Sequence, residues 1–119
     1  MNIVFGRDNL KSIDGKNTVL TVDSFKINGE IVECFCLLSI EDIPLSDLPT
    51  IETQIKVHET LVTEYRNKNW SFCIDAINGL RGNFNGILDE FYDNLQARIE
   101  LFVQEGIKDD WHWALDKNA

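Results

Sequence analysis

Thr18-Val19-Leu20-Thr21-Val22-Asp23-Ser24-Phe25-Lys26-Ile27, then Asn28-Gly29, then Glu30-Ile31-Val32-Glu33-Cys34-Phe35-Cys36-Leu37-Leu38-Ser39-Ile40 is the stretch that decides the fold. Both flanks are rich in β-branched and aromatic side chains, which fit a pleated, half-buried surface. Asn-Gly between two such runs is a strong hairpin signal, because both residues tolerate the positive φ of a type I′ turn. An unbroken ladder from that turn sets Ile27 opposite Glu30, Phe25 opposite Val32, Asp23 opposite Cys34 and Thr21 opposite Cys36. On the other face Val22 then meets Phe35 and Leu20 meets Leu37. Apolar residues fall on both faces, so the hairpin is expected to be covered on both sides, by helices or by a second copy of the chain.

Upstream, Ile3-Val4-Phe5 reads as a short first strand, and residues 6–17 as a turn-rich connection. Downstream, residues 41–49 carry Pro44 and Pro49 and form the connection from sheet to helices. Pro49 suits the first turn of a helix, where its missing N–H is not needed. From Thr50 to about Asn67, Ile51, Ile55, His58, Val62 and Tyr65 recur at helical spacing, with Leu61 widening the stripe. A second helix is expected from Trp70 to Leu80, capped by Asn69 and ended by Arg81-Gly82-Asn83. A third begins near Asn85 or Gly86 and runs to about Gln104 on an Ile87, Leu88, Phe91, Leu95, Ile99 and Phe102 stripe. Gly106 ends it, and residues 107–119 form a tail. The reading is one α+β domain over residues 1–119: an antiparallel β-hairpin or small three-stranded sheet (1–40), then three packed helices (50–106).

The chain has 119 residues and a net charge of −9, with 44% hydrophobic content. That length suits one domain able to bury its own core. Residues 30–65 hold eight acids and one base, Lys56, whereas residues 66–85 hold three bases and one acid. A negative surface repels phosphate backbones and anionic lipid, which disfavours direct binding to nucleic acid or membranes. No apolar run approaches the roughly 18 residues needed to span a bilayer. The N-terminus lacks a basic region ahead of a long apolar stretch, so no signal peptide is expected. Cys34, Cys36 and Cys73 are odd in number and point to a reducing, cytoplasmic setting with buried thiols. With only His58 and His112 as further strong ligands, neither a metal nor a cofactor is expected.

Five groups of residues have side chains suited to chemistry or binding. His58 lies on the buried side of the first helix, and a catalytic role would require a carboxylate or nucleophile beside it. Arg66, Lys68, Trp70, Phe72 and Arg81 are basic and aromatic, a pattern that can stack single-stranded nucleic acid or simply form a helix junction. Asp89, Asp93 and Glu100 share one face of the third helix, with Glu90 beside them, and read as part of a protein-binding surface or a solvated face. Trp111 and Trp113 flank His112 in the tail and should dock, onto the chain itself or into a partner. Arg81-Gly82-Asn83-Phe84-Asn85-Gly86 is a weak match to an anion-binding loop, since the acids at 89, 90 and 93 oppose it.

Asn67-Lys68-Asn69-Trp70-Ser71-Phe72-Cys73 and Leu80-Arg81-Gly82-Asn83-Phe84-Asn85-Gly86-Ile87-Leu88-Asp89-Glu90-Phe91-Tyr92 form a pattern. Together with Asp42-Ile43-Pro44-Leu45 and Leu48-Pro49, it resembles small acidic proteins of marine tailed bacteriophages over residues 42–99. That family has no settled function, so no functional residue carries over. The resemblance implies a phage origin and action in the host bacterial cytoplasm, as a virion part, a replication accessory or an inhibitor of a host protein. The expected function is therefore that of a small non-enzymatic phage accessory protein. Asp89, Asp93, Glu100, Trp111 and Trp113 would meet a protein partner, and the acidic charge suits a basic one. The alternatives are a homo-oligomeric structural or assembly protein, and a small enzyme using His58 with carboxylates. Mimicry of DNA phosphates is a special case of the first.

Overall fold

The computed structural model describes residues 2–13, 15 and 17–116. Strand β1 (Asn2–Phe5) is followed by a 3-10 turn over Arg7–Ser12, and then by β2 (Asn17–Ile27) and β3 (Glu30–Ser39). Short 3-10 turns at Ile40–Asp42 and Leu45–Thr50 lead into α1 (Ile51–Arg66), α2 (Trp70–Leu80) and α3 (Asp89–Glu105), and the chain returns to the sheet as β4 (Leu115–Asp116). The sheet order is β1-β3-β2-β4, with β4 parallel to β2 and the other pairs antiparallel. The fold is α+β, with the long strands ahead of the helices, as the pattern predicts. The hairpin turn is present, with Asn28 and Gly29 at φ 52° and 84°.

The ladder corrects the expected register. Near the turn it is as anticipated, Ile27 facing Glu30 and Phe25 facing Val32. Between Ser24 and Thr21 it shifts by one residue, so that Thr21 faces Phe35 and Leu20 faces Cys36. Val22 and Asp23 together occupy the place opposite Cys34, which makes a β-bulge. The physical reason lies in the core. An unbroken ladder puts Thr21 beside Cys36 and turns Leu20 to the other face, whereas the slip delivers Leu20, fully buried, beside fully buried Cys36 and Leu38.

Four further expectations are corrected. The sheet has a fourth strand, because the tail pairs Leu115 with Phe25 and Asp116 with Lys26; residues 117–119 of that tail lie outside the described residues. Pro49 sits in the 3-10 turn before α1 rather than in its first turn. Asn69 holds the cap position of α2, but its side chain donates to Glu64 Oε2 at 2.7 Å and makes no capping bond. Helix α3 starts at Asp89, three or four residues late, because Phe84 and Asn85 adopt left-handed φ of 54° and 57°. Phe84 is fully buried, so its burial offsets the strain of a bulky residue at positive φ.

The helices and the Cys34/Cys36 face of the sheet enclose one core, which includes Leu61, Cys73, Ile77, Leu80, Leu88, Phe91, Leu95 and Ile99. On the opposite face Phe35 is also buried, with the Arg7 guanidinium 5.1 Å from its ring centre. Helix α1 lies at the edge of β2 not taken by β3. There the Thr21 N–H donates to Glu59 Oε1 at 2.9 Å, and the Thr21 C=O accepts from His58 Nε2 at 2.5 Å. No helix among the described residues is long and apolar enough to cross a membrane.

Candidate functional site

His58 is 0% exposed, and both of its ring nitrogens are taken. A carbonyl only accepts, so Nε2 carries the proton toward Thr21, and Nδ1 accepts from the Tyr92 hydroxyl at 2.8 Å. Burial lowers the His58 pKa, against the smaller opposing pull of the Thr21 carbonyl and the Glu59 charge. Burial likewise raises the Tyr92 pKa, with the charge of Asp89 adding to it. The ring packs among Phe84, Phe91 and Tyr92 at centroid distances of 6.3, 6.0 and 5.7 Å. This is the arrangement of a hydrogen-bonded core histidine.

The three acids proposed from the sequence lie along α3, served by Arg81 at the end of α2. Asp89 is half-buried, and its Oδ1 accepts the Gly82 N–H at 2.8 Å. Asp93 Oδ1 accepts from Arg81 Nε at 2.9 Å, and Arg81 Nη2 donates to Gln96 Oε1 at 2.6 Å. Gln96 in turn donates to Glu100 Oε1 at 3.0 Å, so the polar row continues one turn further. Asp93, Glu100 and neighbouring Glu90 are exposed, and exposed Leu101 and Val103 follow them on the same helix.

The two tryptophans are placed elsewhere, against the chain's own body. Trp111 packs edge-on to Tyr65, Trp70 and Phe102 at 5.8, 5.9 and 5.6 Å. The Arg66 guanidinium lies 3.9 Å from the Trp113 ring centre, and Lys68 lies 5.7 Å from that of Trp111. The five residues singled out from the sequence thus fall into an acidic row on α3 and an aromatic cluster at the tail. The basic and aromatic cluster is a helix junction: Trp70 packs into those rings, Arg66 pairs with Glu33 at 3.7 Å and Arg81 with Asp93. Among the described residues no three His, Cys, Asp or Glu side chains gather as a metal-binding group.

Two features escaped the sequence. One is the ion pair between Asp23 at the bulge and Arg98 on α3, 2.8 Å long and partly buried. The other is an apolar groove of about 280 Å³ between the β1 edge and α3, walled by Ile3, Phe5, Phe25 and Phe91, with Asp23 and Glu90 as its charged members. The exposed Ile3 and Phe5 were the available signal, since a short uncharged first strand makes an edge. Compared with known proteins, the chain matches no family model, no curated protein and no solved structure.

Proposed function

We propose that this is a small phage accessory protein that works in the host bacterial cytoplasm by binding another protein, and that it performs no chemistry of its own. The observation that supports this reading is how the side chains are divided between inside and outside. Of the groups suited to proton transfer or nucleophilic attack, His58, Tyr92, Cys34, Cys36 and Cys73 are buried, and exposed His112 has its Nδ1 taken by the Ala114 N–H at 3.0 Å. The outer side of α3 instead presents Glu90, Asp93 and Glu100 beside exposed Leu101 and Val103. A charged row next to apolar side chains suits a basic partner that also buries some apolar surface. The resemblance to small acidic phage proteins agrees with it.

The test is capture of a stoichiometric partner from bacterial lysate by the intact chain, repeated with the double variant Asp93→Lys, Glu100→Lys. The expected result is a partner that elutes with salt and is lost from the double variant, because screening and charge reversal both remove the attraction. Capture that survives both treatments would exclude the acidic row as the binding surface.

A further inference from the structure

We infer that the outer edge of β1 and the groove beside it take up an extended, basic segment of a partner protein as an added strand. The inference rests on the protein-binding reading above and names a second place where binding occurs. Its basis is the ladder between β1 and β3. The Gly6 N–H donates to the Glu33 carbonyl at 2.7 Å, and Gly6 continues the register in which Phe5 faces Cys34. Antiparallel strands alternate inward- and outward-pointing backbone groups. Asn2 and Val4 therefore bond to β3, and Ile3 and Phe5 direct their N–H and C=O groups outward. Asn9 Nδ2 takes the Phe5 carbonyl at 2.6 Å. Among the described residues, that leaves the Ile3 N–H, the Ile3 C=O and the Phe5 N–H on the open edge.

Exposed sheet edges are normally guarded by a charge, a proline or a covering segment. Asn2-Ile3-Val4-Phe5 carries neither charge nor proline. Its two outward-bonding residues are also its exposed apolar ones, Ile3 at 36% and Phe5 at 54%. As cross-strand neighbours of Cys36 and Cys34, they project on the helix side of the sheet and form one wall of the groove. A strand added at this edge bonds to Ile3 and Phe5 through its backbone and sends every second side chain into the groove.

Charge selects the occupant. The charged groove residues, Asp23 and Glu90, are both acidic, and Arg98 already neutralises Asp23. Glu90 is exposed and calls for a cation. A second copy of the chain is a poor occupant, because it brings its own Glu90 and another net charge of −9. A segment with apolar residues at alternate positions and Lys or Arg between them satisfies the edge, the groove and the charge together.

The test uses the intact ¹⁵N-labelled protein and a fluorescein-labelled decapeptide of alternating valine and lysine. Hydrogen exchange of the Ile3 and Phe5 amides is expected to slow by roughly tenfold or more at saturation, since both gain a strand partner. Glu90→Lys is expected to weaken the peptide about tenfold, and N-methylation of alternate peptide nitrogens to abolish the protection. A peptide alternating valine with glutamate should not bind. The inference is overturned by binding without protection of Ile3 and Phe5, or by no binding at all. It is equally overturned by a concentration-dependent dimer that protects those amides without peptide. If the peptide fails while lysate capture still depends on Asp93 and Glu100, the edge assignment falls alone; if both fail, the protein-binding reading falls with it.

Discussion

The Tyr92 hydroxyl donates to His58 Nδ1 across 2.8 Å, and neither side chain is exposed. With Nε2 bonded to the Thr21 carbonyl, the imidazole joins α1, α3 and β2 through one neutral ring. Tyr92→Phe keeps the shape of the ring but leaves Nδ1 buried without a donor. Loss of about 1–3 kcal/mol is expected, measured as a lower urea midpoint at unchanged slope.

The same site makes stability depend on pH. Burial holds the folded His58 pKa below its ordinary value of 6.5, so the unfolded chain takes up a proton more readily. Stability from neutral His58 is complete above the unfolded pKa and is lost as pH falls below it toward the folded one. The urea midpoint should therefore fall as the pH drops below about 6.5, and His58→Gln should flatten that part of the profile. An equally steep profile in the variant would show that another group sets it.

Much of the fold is legible in residues 18–40. Asn28-Gly29 marks the turn, and the stripes in residues 51–66 and 70–80 mark helices close to where they form. Even the bulge has a trace: the apolar phase of β2 changes from Leu20 and Val22 to Phe25, even to odd, which a regular strand does not do. It is the ladder across from it that settles where the extra residue goes. Strand β4 left no trace, since Leu115-Asp116 has no periodicity and pairs with residues some ninety positions earlier. For the same reason nothing local joins Asp23 to Arg98, which are 75 residues apart. The tryptophans were visible as residues that had to dock, but the partners Tyr65, Trp70 and Phe102 come from three helices' packing and not from spacing.

The bulge and the Asp23–Arg98 pair should be coupled. Asp23→Ala leaves a partly buried guanidinium whose Nη1 already lacks a partner, and a cost of about 2 kcal/mol is expected. Adding Arg98→Met removes the orphaned charge and should recover part of that loss. The double-mutant cycle in urea measures it, and additive losses would deny the coupling.

The three thiols should be inert in the folded protein. Burial pushes the pKa of each of Cys34, Cys36 and Cys73 up to about 11, and all three are buried and free. Against an ordinary value of 9.0, the thiolate fraction at pH 8 falls by roughly a hundredfold, on top of the steric block. An aromatic disulfide reagent should titrate almost no thiol in native buffer and all three per chain in denaturant. Fast reaction of one cysteine before unfolding would place it at a surface that opens.

The tail's tryptophans have two uses, anchoring the tail or meeting a partner, that stability separates. Trp111 meets three aromatic rings within 6 Å, and it is half-buried. Four residues later β4 bonds to the edge of β2 at Phe25. If the ring cluster anchors the tail, Trp111→Ala removes most of that contact at a cost of about 2–3 kcal/mol, somewhat below a fully buried tryptophan. The amides of the β4 segment should then exchange near the rate of an open chain, while those of β3 stay protected. Trp113→Ala should cost less, about 1 kcal/mol, because its main neighbour, Arg66, keeps its contact with Glu33. A Trp111→Ala protein with unchanged stability would mean that the ring cluster contributes nothing to the isolated chain. The tail would then have to be stabilised by a partner.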